Sequence, residues 1–156
     1  NIYINKMSKK AALFFERLGK LVPGFDGYAK KDKARESDYQ VRLYVRSKLD
    51  EFIYNIEKSK SKMPDNELME VDKAQNDLKL FCTKIVNQKF GYSSLFDNKN
   101  SDKTVNEAVL LKVTENDEEL IELINKIDIT LCDALTIENL SYKLNTILKN
   151  RKEIIG

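Results

Sequence analysis

The stretch from about Ala29 to Glu57 or Lys58 constrains the fold most, because it reads as one uninterrupted helical pattern. Ala34, Val41, Val45, Leu49, Phe52, Ile53 and Ile56 fall at helical spacing along it, which places them on one apolar stripe. A helix of this length must cover that stripe, and the rest of the chain offers other helices with which to do so. Only five Gly and two Pro occur in 156 residues, too few for a turn-rich β fold. No strand alternation, short-period repeat or low-complexity segment is present. The expected fold is all-α: residues 1–156 forming a single-domain antiparallel bundle of four to five helices around one long central helix.

Ahead of the central stretch, Met7, Ala11, Phe14, Phe15, Leu18, Leu21 and Val22 define a helix over about residues 6–21. Pro23 disfavours helical geometry in the residue before it and ends that helix. Pro23-Gly24 and Gly27 mark a turn, with Phe25 and Tyr28 expected to pin it to the core and Asp26 placed to cap the next helix. Residues 58–66, KSKSKMPDN, read as a linker, followed by a helix over about Asp65 to Lys89. Tyr92, Leu95 and Phe96 lie in an otherwise polar loop and are expected to pack it down. Thr104 and Glu107 fit a capping box for a short helix over about 105–113. Thr114 and Asp117 then suggest a fresh start, with Leu120, Ile124, Ile127, Leu131 and Leu135 as an inner stripe ending near residue 135. Thr136 is expected to cap a last helix over about 137–152.

Charge is unevenly placed. Residues 1–62 hold 15 Lys and Arg against 8 Asp and Glu, whereas residues 63–156 hold 12 against 17. Either the two halves attract one another within the fold, or the basic half meets an anionic partner. Cys82 and Cys132 each sit in an apolar helical pattern, so both are expected to be unpaired and inaccessible in a reducing compartment. No apolar run approaches the roughly 18 residues of a membrane span. The opening NIYINKMSKK has no apolar core with a cleavage site and reads as no secretory signal.

The complete lack of histidine removes His-based acid–base chemistry, Ser-His-Asp and Cys-His nucleophiles, and His-ligated zinc or di-iron sites. Two distant cysteines cannot form a four-Cys metal site in one chain, and no Walker, Rossmann, nucleophile-elbow or EF-hand pattern occurs. No cofactor and no metal are expected. Tyr28, Lys31, Arg35, Glu36 and Asp38 are what remains for an enzyme, and the same set is ordinary on a solvated helix start. Lys30, Lys31, Lys33 and Arg35, with Lys9, Lys10 and Arg17, offer phosphate contacts. Asp32, Glu36 and Asp38 interrupt them and no stacking motif accompanies them, which argues against nucleic acid.

The string PGFDGYAKKDKARESDYQVR resembles the signature of an uncharacterised family of bacterial helical proteins: Pro-Gly-aromatic-x-Gly-Tyr, a charged helical turn, then Arg-Glu-x-Asp-x-x-x-Arg. Its positions here are Pro23, Gly24, Phe25, Gly27, Tyr28, Arg35, Glu36, Asp38 and Arg42, and GYSSLFD (91–97) and the Asp128 region resemble the family's second half. The resemblance implies a bacterial, intracellular, non-secreted domain whose turn and charged helix matter together, and it carries no activity.

Asp128 falls in a core-facing stripe, where an ionised carboxylate needs a partner. Arg35, Arg42 and Arg46, which surround Asp38 on the central helix, are the natural ones. Two arrangements follow: a partly buried network with Asp38 and Asp128 as acceptors, or an Asp128 at the stripe's edge in solvent. The functional expectation is a cytoplasmic, non-enzymatic protein-interaction or scaffold module with a protein partner. The alternative is peripheral binding to an anionic membrane surface, at its inner face, through the basic half.

Overall fold

The computed structural model describes residues 9–27, 31–87 and 107–155, without the side chains of residues 9–11, 14, 31–35, 107 and 155. Among the described residues there are five α-helices and no strand. They are α1 (Lys9–Leu21), α2 (Lys31–Ser59), α3 (Asp65–Asn87), α4 (Glu107–Asn125) and α5 (Ala134–Ile155), with a short 3-10 turn at Lys60–Lys62. The all-α bundle expected from periodicity is therefore present.

Helices α2, α3, α5 and α4 form a ring in which each packs on the next, and α1 lies against α4. Side-chain bonds give their directions. Gln75 on α3 reaches the Ile53 carbonyl and Arg42 on α2 reaches the Val86 carbonyl, so α2 and α3 are antiparallel. Tyr44 on α2 donates to Asn125 on α4 (2.6 Å), and Asp38, two turns earlier, lies beside Asp117 through Arg151, so α2 and α4 run the same way. Val41, Val45, Leu49, Phe52 and Ile56 meet Leu78, Phe81 and Ile85 of α3, Leu120, Ile121 and Ile124 of α4, and Ile137, Leu144 and Ile147 of α5 in one buried cluster.

Two expected boundaries move. Thr114 starts no new helix; its hydroxyl donates to the Leu110 carbonyl one turn back, and α4 continues through it. The same helix then stops at Asn125 rather than near residue 135. Asp128 Oδ1 accepts from the Thr130 amide (3.0 Å) and hydroxyl (2.6 Å), a local turn that competes with the helix. Leu131 and Leu135 are consequently not inward; they are 49% and 67% exposed.

The cap of α5 is Asp133 rather than Thr136. Its carboxylate accepts from the Thr136 amide (3.1 Å) and hydroxyl (2.7 Å), so α5 begins at Ala134. Hydrogen bonds from Thr130 and Thr136 hold the carboxyls of Asp128 and Asp133 below the ordinary range. Groups lowered in this way stabilise the fold at neutral pH and lose that contribution as pH falls through their folded-state pKa. Asp133→Ala is expected to cost about 1 kcal/mol at neutral pH, with the gap to wild type closing on acidification. Asp128→Ala, in an exposed turn, is expected to lower the urea midpoint by less than Asp133→Ala does, with the same closing of the gap on acidification. Urea titrations of both variants at neutral and acidic pH check this.

Candidate functional site

The turn after α1 is fixed first by its backbone. Gly24 and Gly27 have φ of 80° and 93°, conformations that side chains beyond glycine rarely adopt. The buried Ser37 hydroxyl accepts from the Asp26 amide (2.8 Å) and donates to the Gly27 carbonyl (3.0 Å), tying the turn to the start of α2. Phe25 is half-buried with its ring 6.1 Å from that of Phe15. Exposed Glu36 accepts from Gln40 (2.8 Å). Tyr28, the side chain of Arg35, and the Tyr92–Phe96 loop lie outside the described residues.

One turn further, α2 contributes half of a buried ion cluster. Arg42 Nε lies 2.9 Å from Asp38 Oδ2, while its Nη1 donates to the Val86 carbonyl (3.1 Å) near the end of α3. Arg151 of α5 donates through Nε to Asp117 Oδ1 of α4 (2.9 Å) and through Nη2 to Asp38 Oδ1. Asp38, Asp117 and Arg151 are all buried. Of the two arrangements the sequence leaves open, the one with Asp128 in solvent holds, while Asp38 and Arg42 sit in a network whose second carboxylate is Asp117. Asp128 is instead exposed in the α4–α5 turn, and Arg46 pairs with Asp50 at the surface (3.0 Å). With two carboxylates and two guanidiniums the cluster is charge-balanced and closed, an arrangement suited to holding helices in register rather than receiving an anion.

Arg17 on α1 makes a second inter-helix pair, with Nε 2.7 Å from Glu118 Oε1 and Nη2 donating to Oε2 (3.0 Å). Lys60 bridges Glu57 (2.9 Å) and Asp72. Both Arg17–Glu118 and Lys60–Asp72 join the basic half of the sequence to the acidic half.

Among the described residues an open groove runs along the outer seam of α4 and α5. Its widest hollow, about 500 Å³, lies between Lys112, Glu115 and Glu119 of α4 and Asn150 and Glu153 of α5. A second, about 360 Å³, has Glu119 and Glu122 on the α4 wall and Lys143 and Tyr142 on the α5 wall. The third, about 380 Å³, lies under the α4–α5 turn, lined by Phe52, Leu123, Ile127, Leu131 and Leu140. Glu119 is common to the first two, and Leu123, Lys126 and Lys143 to the last two, so the hollows run together.

The two thiols differ. Cys82 is buried, and burial pushes its thiol up to about 11. Cys132 is only half-buried, beside the α4–α5 turn, with its thiol on the Ile129 carbonyl (3.4 Å). The expectation that both are inaccessible is corrected for Cys132, because the helix that would have buried it ends at Asn125. In native buffer, thiol labelling is expected to give one fast equivalent, abolished by Cys132→Ser, and one slow one that becomes fast on denaturation.

Among the described residues no acidic or cysteine cluster could hold a metal ion, and no helix is long and apolar enough to cross a membrane. Comparison with family models, curated proteins and solved structures found no match to this chain.

Proposed function

We propose that this chain is a bacterial, intracellular, non-enzymatic interaction module that engages a protein partner through the α4–α5 face. The observation that carries this reading is apolar surface left open beside a groove: Leu131 and Leu135 at the turn, and Tyr142, 75% exposed, on the groove wall. Exposed apolar side chains beside a groove lined with charged ones suit a surface that another molecule covers. The ion cluster supports the same reading from behind, since it ties α2, α4 and α5 together and keeps the groove walls in fixed relation.

Binding to an anionic membrane through the basic half draws less support. Arg17, Lys20, Arg42, Arg46 and Lys60 are all ion-paired within the fold. A photo-crosslinking residue at Tyr142 is expected to yield protein adducts in bacterial cells, whereas the same residue at Met69, exposed on α3 outside the groove, is expected to yield none. Equal adducts at both positions, or sedimentation of the purified chain with phosphatidylglycerol vesicles at low salt and not at high salt, would overturn this reading.

A further inference from the structure

We propose that the widest hollow of the α4–α5 face receives a lysine side chain of the protein partner, an inference that rests on the interaction reading and states the partner's chemistry at that end of the groove. It starts from a buried acceptor that accepts nothing. Asn116 is 5% exposed and lines this hollow. Its Nδ2 donates to the Ile147 carbonyl of α5 (3.2 Å), which fixes the orientation of the amide. Its Oδ1 is buried and has no hydrogen bond among the described residues. An unpaired buried acceptor is costly, and a donor carried in by a ligand removes that cost.

The charge around that oxygen is predominantly negative. Glu115 and Glu119 of α4 and Glu153 of α5 line the hollow against one cation, Lys112, while Lys149 and Lys152 of α5 do not line it. Glu119 and Glu153 are exposed and form no ion pair among the described residues. The same residues make no metal cluster, so the cation that suits them is an organic one. An ammonium carries three donors at the tip of a narrow stem, enough for the Asn116 oxygen and a carboxylate from each wall. The broader guanidinium fork is matched instead to the two oxygens of a single carboxylate. Half-buried Val109 and Ile154 complete the lining and give the methylenes of a lysine stem an apolar surface. Glu119 also borders the next hollow, where Tyr142 lies. One continuous partner segment can therefore place its lysine here and apolar side chains against Tyr142. A free polyamine offers the same ammonium but leaves that exposed apolar surface uncovered.

The test titrates the full chain with n-butylammonium chloride, a mimic of the lysine tip, against sodium chloride at equal ionic strength, and follows amide resonances by NMR. Butylammonium is expected to shift the Asn116 side-chain amide and the backbone amides around Glu119 and Glu153 saturably, and sodium chloride is not. Glu119→Gln combined with Glu153→Gln is expected to weaken that binding by at least about fivefold. Both residues are exposed, so the double variant is expected to keep the wild-type circular dichroism and urea midpoint. In bacterial cells the same double change is expected to lower the yield of protein crosslinks from position 142 by at least about fivefold. Shifts no larger than those from sodium chloride, or a double variant that binds butylammonium as wild type does, would overturn the site. A polyamine found bound by native mass to the chain isolated from cells would overturn the lysine as its occupant. Crosslinks from position 142 that the double change leaves at full yield end this inference and leave the interaction reading in place. Absence of those crosslinks in the otherwise unaltered chain ends both.

Discussion

Arg151→Met is expected to destabilise the protein by about 3–5 kcal/mol, because it strands buried carboxylates. Methionine preserves most of the stem and apolar contact of the arginine, so the loss is one of charge and hydrogen bonds rather than of volume. In wild type the guanidinium serves Asp117 of α4 and Asp38 of α2 at once. Arg42 remains beside Asp38 in the variant, so Asp117, buried on the opposite side of the cluster, bears most of the cost. Adding Asp117→Asn to Arg151→Met is therefore expected to recover part of the loss, and the double variant is expected to cost less than the two single changes summed. Urea titrations of the four proteins measure this directly. A midpoint for Arg151→Met indistinguishable from wild type would show that the cluster is solvated. Strictly additive changes would show that Arg151 and Asp117 do not depend on each other.

This cluster also shows how much of the molecule was legible in the sequence. The stripe argument called for a buried carboxylate joining the later part of the chain to the arginines around Asp38, and such a carboxylate exists. It is Asp117 rather than Asp128. The two lie eleven residues apart, about three helical turns, so on one continuous helix they would share a face. The face was read correctly and the end of the helix was not. Neither Gly nor Pro marks the break between Asn125 and Ala134; it is made by Asp128 with Thr130 and by Asp133 with Thr136, four residues that are also tolerated inside helices. The acidic residues Glu115, Asp117, Glu118 and Glu119 resemble the start of a helix, a pattern that hides a core-facing Asp117. In the fold that run is mid-helix, with Glu118 on Arg17 and Asp117 on Arg151. Arg151 continues the stripe of Leu144, Ile147 and Leu148 by one more turn, and a charged residue in that register was the available signal for it.

Elsewhere the periodicity carried further. The stripe of α2 from Val41 to Ile56 is buried much as its spacing requires, and the basic and acidic halves do attract one another through Arg17–Glu118 and Lys60–Asp72. The groove could not be read from spacing. It depends on where two helices place their outer faces, and on the exposure of Leu131 and Leu135, which an overextended helix had turned inward.

Phe52→Ala is expected to be the other severe change, at about 3–5 kcal/mol, the range for emptying a fully buried aromatic site. Phe52 lies in the C-terminal third of α2, is fully buried, and packs in the cluster that joins α2 to its neighbours. It is also the one α2 side chain that lines the hollow under the α4–α5 turn. Truncation therefore removes core volume and the floor of the groove together. Phe52→Leu keeps an apolar side chain of most of that volume and is expected to cost markedly less, about 1–1.5 kcal/mol. The pair separates two roles that a single variant would confuse. If the groove face is the interaction surface, Phe52→Leu is expected to keep the crosslinks formed from position 142, because the floor under the α4–α5 turn remains apolar. Phe52→Ala is expected to lower their yield even at temperatures where it is fully folded, because the space it leaves opens into the hollow and admits water between the walls. Urea midpoints for both variants, with crosslinking from position 142 under folded conditions, give the two readouts. A Phe52→Ala protein with a near-wild-type midpoint would mean that this position is not part of a packed core. A folded Phe52→Ala protein that keeps those crosslinks at full yield would mean that the groove floor plays no part in the contact.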